Sequence, residues 1–285
     1  MALTINTNMS SITVQNNLNK ATKSLNKAIE RMTTGYKINS AADDAAGYAV
    51  STSMATQLSS ISVCQDNTAI GTSLLSATES NYDLIQTHLQ RIRDLTEEAS
   101  NGTYGTDAIN AIKTEVSARL DEIDRIASST NYNGINLLDG SQATNGIKIQ
   151  VGTTSSATNS TITLDKNIFA KANSSALTSV AKATLEGYYT VGSTNMTTAL
   201  NAVDAALDKV TTNQTLIGSY QNRLDSATDA LDVQYTNVTS SLSTIRDTDV
   251  AAESSEYIKA QILQQASASL LSTANQAPSI ALNLI

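Results

Sequence analysis

Apolar residues recur at both ends of the chain in alternating steps of four and three, the spacing of a helix face that meets another helix. The first run is Val14, Leu18, Ala21, Leu25, Ala28 and Met32, and it stops at Thr33-Thr34-Gly35, a helix-ending signal. Ser40-Ala41-Ala42-Asp43 then reads as a capping box, with Asp43 reaching back to the cap amide. A second helix is predicted from about Ala41 to Ala99. Its seam reads Met54, Ile61, Cys64, Thr68, Gly71, Leu75, Thr78, Tyr82, Ile85, Leu89 and Ile92. At about 1.5 Å per residue it spans roughly 90 Å, more than a compact domain needs. Ser100-Asn101-Gly102 ends it, and a third helix follows on Ile109, Ile112, Val116, Leu120 and Ile123, ending near Ser128-Ser129-Thr130.

The pattern changes over the middle, where Asn131 to about Thr194 is rich in Ser, Thr, Asn and Gly. Alternation in Ile147-Lys148-Ile149-Gln150-Val151 and in Thr161-Ile162-Thr163-Leu164 predicts two short strands, a small β excursion on a helical rod. The four–three spacing returns from Met196 through Val203, Val210, Ile217, Leu224 and Leu231 to Ile245, with Gln214, Gln221 and Thr228 as polar entries that fix register. A last helix is predicted over roughly Ala251 to Asn275. A long amphipathic helix is unstable alone in water, so the segments from the two ends pair with each other. The expected fold is mainly α: a long antiparallel coiled-coil-like helical rod from the two chain ends, with a small β-hairpin-containing insertion in the middle.

Composition agrees with a rod. The only proline is Pro278, so nothing earlier interrupts a long helix. Aromatics are 4% and Trp is absent, which suits narrow seams better than a thick core. The net charge of −8 and the lack of a basic run argue against nucleic acid or an anionic membrane as partner. One cysteine, Cys64, excludes an intrachain disulfide framework, and with a lone histidine, His88, no metal or cofactor site is expected. The first residues lack the basic and apolar regions of a cleavable signal peptide, and no apolar run is long enough for a membrane span.

The most informative feature is where charge is missing. No charged side chain precedes Lys20 and none follows Lys259. Ile5, Met9, Ile12 and Leu18 form one apolar stripe; Ile258, Ile262, Ala266 and Leu270 form another. Two helices cannot cover each other's full circumference, so ends of this composition are expected to be buried jointly by neighbouring copies. A heterologous contact that does not close generates a helical filament. A soluble coiled-coil adaptor would not need two such ends, and an enzyme has no motif here on which to rest.

Several stretches carry a specific resemblance: INTN at 5–8, QNNLNKA at 15–21, AIERMTTGYKINSAADDAAG at 28–47, LQRIRDLTEEASNGT at 89–103, RLDEIDRI at 119–126, YNGINLLDG at 132–140, AQILQQA from 260 and ANQAP ending at 278. Together they resemble the terminal regions of bacterial flagellins, over about residues 3–140 and 195–285. The resemblance implies a non-enzymatic subunit of the flagellar filament. Residues 1–44 and 246–285 would form its inner tube, 45–140 and 195–245 its outer helical domain, and 141–194 the variable insertion. It implies a secreted protein, exported unfolded through the flagellar type III apparatus. Its partners would be further copies of itself, an export chaperone, the filament cap and the hook-junction proteins. It also implies recognition of the monomer by the flagellin-sensing Toll-like receptor of hosts, at Gln90, Arg91, Leu95, Glu115 and Arg119. A hook–filament junction protein shares such helical ends and is the alternative, but the DDAAG and QRIRDL stretches favour flagellin.

Overall fold

The computed structural model describes residues 7–154, 157–192 and 195–282. Its elements are α1 (Met9–Thr34), α2 (Ala45–Ala99), α3 (Thr106–Ser129), β1 (Asn131–Tyr132), β2 (Ile135–Asn136), β3 (Lys148–Gln150), α4 (Ala157–Ser160), β4 (Thr161–Thr163), a 3-10 turn (Lys166–Phe169), α5 (Ser174–Thr178), α6 (Lys182–Gly187), α7 (Met196–Arg246) and α8 (Val250–Leu282). The chain divides into two compact units, Met1–Leu58 with Thr236–Ile285, and Ser59–Tyr235.

In the first unit the Asn8 side chain caps α1 by accepting from the Ser11 N–H at 3.1 Å. At the other end Gly35 adopts φ +75° and its N–H reaches the Arg31 carbonyl at 2.8 Å, a left-handed cap that suits glycine. Helix α2 begins at Ala45 rather than Ala41, because Asp44 is its cap and accepts from the N–H groups of Ala46 and Gly47 at 3.1 and 3.0 Å. Asp43 does reach back, to the N–H of Ser40 and of Asn39 at 3.2 Å, but it closes the turn before the helix rather than starting it. Helix α8 runs past the expected Asn275 and through Pro278 to Leu282.

The second unit holds the main hydrophobic core. Its stretches of α2 and α7 run antiparallel, with Gln65 on Asp232, Thr68 on Thr228, Glu79 on Gln221, Asp83 on Gln214 and Arg93 on Asp204. The polar entries of the α7 heptads therefore each find a polar partner on α2, as register pins must if they are not to be left unsatisfied. Ile61, Leu75, Tyr82, Ile85, Leu89 and Ile92 are fully buried, as are Val116, Leu120 and Ile123 of α3.

The middle segment is more than an excursion. β3 and β4 pair as expected, antiparallel with Ile149 opposite Ile162. Both isoleucines, with Leu164, Ile168, Phe169, Leu177, Leu185 and Tyr189, belong to the same core as α2, α3 and α7. Gly71 makes room for this: a Cβ there would lie 2.4 Å from Ile149 Cδ1. A second hairpin, β1–β2, turns through Asn133 (φ 50°) and Gly134 (φ 80°), the Asn-Gly pair that tight hairpins favour.

Candidate functional site

Helices α1 and α8 run antiparallel. Asn8 Nδ2 donates to the Ala274 carbonyl at 2.7 Å, Ser11 Oγ to Asn275 Oδ1 at 2.7 Å and Gln264 Nε2 to Thr22 Oγ1 at 3.2 Å, while Arg31 meets Glu253 at 3.5 Å. The buried seam is made of small side chains: Ala21 and Ala28 from α1, Ala260 and Ser267 from α8. Such residues let two helices lie close but bury little apolar area.

The large apolar side chains point elsewhere. Ile258, Ile262 and Leu270 are 54%, 59% and 58% exposed, and Met9, Ile12 and Leu263 are exposed as well. Of the two stripes marked in the sequence, Leu18 is half-buried, Ala266 is exposed, and Ile5 lies outside the described residues. Fully burying one such large side chain is worth about 1.5–3 kcal/mol. A surface covering the remaining exposed area of this set gains on the order of 5–10 kcal/mol before the entropy of association is subtracted. Large apolar side chains left exposed in this way are candidates for a protein–protein contact.

The links at the inner ends of these helices are tied together. Lys37 N–H donates to the Arg246 carbonyl at 2.6 Å and Thr248 N–H to that of Gly35 at 2.9 Å, flanking a bridge between Tyr36 and Asp247. The Arg246 guanidinium stacks over the Tyr36 ring at 4.1 Å. Lys27 meets Asp43 at 2.8 Å; this hydrogen bond, with those from Ser40 and Asn39, holds the Asp43 carboxyl down to about 2.

On the second unit α2 and α3 bring three of the five expected recognition residues, Arg91, Glu115 and Arg119, into contact. Arg91 Nε donates to Glu115 Oε1 at 3.0 Å, and Arg119 donates to the same oxygen from Nε and Nη2 at 3.1 and 3.0 Å. The hydrogen bond from Arg91 is the main cause holding the Glu115 carboxyl below its ordinary range. His88 Nδ1 lies 3.4 Å from Arg119 Nη1, and its pKa is lowered by burial first and by the Arg119 charge second. Gln90 is exposed beside Arg91. Leu95 departs from expectation: it is 2% exposed, packed in the core, and offers a partner no surface.

Cys64 is a buried seam residue whose thiol is pushed up by burial. Among the described residues no His, Cys, Asp and Glu converge as a metal site, and no helix is long and apolar enough to cross a membrane.

Terminal helices that pair with each other and leave large apolar side chains exposed, with a separate helical core, define a mainly α protein of a particular family. Comparison with known proteins identifies which. Residues 5–143 match the bacterial flagellin N-terminal helical region and residues 200–285 the bacterial flagellin C-terminal helical region. A flagellin of Listeria monocytogenes is 32% identical over 285 residues, covering 99% of each chain. The flagellar filament 30.7 kDa core protein of Treponema maltophilum is 33% identical over 286 residues, covering 95% of each. A solved chain from Vibrio parahaemolyticus, provisionally described as a flagellar hook-associated protein, aligns with a TM-score of 0.60 over 72% of this chain and all of that one. At 18% identity it speaks for the fold alone. The chain belongs to the flagellin family. It is a structural subunit that self-assembles into the flagellar filament.

Proposed function

We propose that the outward faces of α1 and α8 are the surface through which copies polymerise, with Ile5, Met9, Ile12, Leu18, Ile258, Ile262, Ala266 and Leu270 at the contact. The observation that carries this is the division of labour on the helix pair. Ala21, Ala28, Ala260 and Ser267 are buried between the two helices, while Ile258, Ile262, Leu263 and Leu270 of α8 stay exposed, the last three on a stretch with no charged residue after Lys259. Residues 1–44 and 246–285 then act as the inner tube, 45–140 and 195–245 as the outer helical domain, and 141–194 as the variable part. The filament is extracellular, and the chain reaches it through the flagellar export route with an export chaperone, the filament cap and the hook-junction proteins as partners.

The surface formed by Gln90, Arg91, Glu115 and Arg119 is, on this reading, where a host Toll-like receptor contacts the monomer. What supports it is that Glu115 holds two arginines in fixed positions on an accessible face.

Electron microscopy after salt-induced assembly tests the polymer surface. Ile262→Asp, an exposed position, is expected to leave the monomer helical by circular dichroism and to abolish filaments; normal filaments from this variant contradict the assignment. Arg91→Ala is expected to weaken receptor signalling by the monomer, and unchanged signalling removes that site.

A further inference from the structure

The second unit carries a groove of about 580 Å³ between α7, Tyr82 of α2 and the segment from Asn167 to Leu177. That volume is within the range of small-molecule sites, and the assembly surface of the first unit does not use it. We propose that this groove binds a small anionic amphiphile, an alkyl or aryl chain bearing one carboxylate or sulfonate.

The floor asks for an apolar body. It is lined by Tyr82, Ala172 and Leu177, all buried, and by half-buried Leu216. Its polar atom is already committed: the Tyr82 hydroxyl donates to the Ile168 carbonyl at 2.9 Å and accepts from Asn213 Nδ2 at 3.0 Å. A ligand hydroxyl placed over Tyr82 would compete with these two bonds and lose its own hydration.

The rim asks for an anion. Lys209 lies on α7 and Lys171 follows the 3-10 turn, with Asp208 the one carboxylate of the lining. The Lys209 ammonium donates to the carbonyls of Ala176 and Leu177 at 3.0 and 2.8 Å and to Ser179 Oγ at 2.8 Å, which fixes its position without neutralising its charge. Lys171 makes no ion pair or hydrogen bond with the described residues. Gly140 passes close to it, and a Cβ there would lie 3.2 Å from Lys171 Cβ. One held ammonium, Lys209, and one exposed ammonium, Lys171, beside an apolar floor match a chain with one negative head. The match is local, since the protein as a whole carries −8.

Isothermal titration of the full-length monomer with decanoate, at low ionic strength and below its micellar range, tests the proposal. Expected is saturable binding of one molecule per chain, at least fivefold weaker for decanol. Lys171→Glu is expected to weaken decanoate at least fivefold. Ala176→Trp, at an exposed rim position, is expected to fill the groove and remove binding while circular dichroism stays unchanged. Ile262→Asp, on the terminal helix, is expected to bind as the parent does. No saturable binding, equal binding of decanol, or binding that survives Ala176→Trp overturns the proposal, and so does binding lost in Ile262→Asp.

Discussion

The Tyr82 hydroxyl donates to the main-chain carbonyl of Ile168 at 2.9 Å, joining the long helix α2 to a loop segment 86 residues further on. Burial pushes the phenol up to about 12, so it remains a neutral donor over the whole working range. Tyr82→Phe leaves that carbonyl and the Asn213 amide without their partner. The expected loss is about 1–3 kcal/mol in urea unfolding of the protein, with filaments of the variant still forming.

The β3–β4 hairpin contributes to the same core. Ile162→Ala empties a buried site and is expected to destabilise by about 2–5 kcal/mol. A deletion of residues 150–165 removes β4 and the buried Leu164 with it, and is expected to lower the melting temperature further than the point substitution does. Equal melting temperatures for the deletion and the parent would show the hairpin to be dispensable to the unit.

Ala28 and Ala260 are each 1% exposed where α1 and α8 meet. Ala260→Leu forces extra volume into a seam built for small side chains, at an expected cost of about 1–3 kcal/mol. Loss of helical signal at lower temperature, together with loss of assembly, is the expected result. The exposed substitution Ile262→Asp, by contrast, is expected to block assembly without the thermal change.

Asp43 links the turn after α1 back to Lys27 of that helix. Its folded pKa of about 2 lies below the ordinary 3.8, so the carboxylate form is favoured by folding. The contribution is complete above pH 4 and disappears as pH falls from there towards 2. In an acid titration followed by circular dichroism, Asp43→Asn is expected to differ from the parent at neutral pH and to converge with it near pH 2.

Glu115→Gln keeps the shape of the side chain and removes the charge that Arg91 and Arg119 share. All three residues are at least partly exposed, so stability is expected to change by less than about 1 kcal/mol. Receptor signalling, read separately, is expected to fall severalfold because both arginines lose their anchor.

The long elements were legible in the sequence because periodicity accumulates over many turns. Leu75, Tyr82, Ile85, Leu89 and Ile92 stand on the predicted seam and are all fully buried. Gly35 ended α1 where its freedom at positive φ was needed. The pairing of the two ends was legible too, because an amphipathic helix at each end needs a partner, although the seam is built of Ala21, Ala28, Ala260 and Ser267 rather than of the stripe from Ile258 to Leu270. The short elements were not. A 3-10 turn and the five- and six-residue helices α5 and α6 are too brief to show a period. Asn133-Gly134 is a hairpin signal, but the strands flanking it are two residues each, too short for alternation to show.

The sequence by itself determined that this protein has two uncharged, apolar ends and long helices between them, since both follow from residue type and spacing alone. Tertiary structure decided which apolar residues remain uncovered. The alanines and serine of α1 and α8 face each other because small side chains permit the closest approach, and this turns Ile258, Ile262 and Leu270 outward. It also decided that Leu95 is core while Arg91 is surface, because only the packing of α2 against α3 and α7 sets which side of the helix meets solvent.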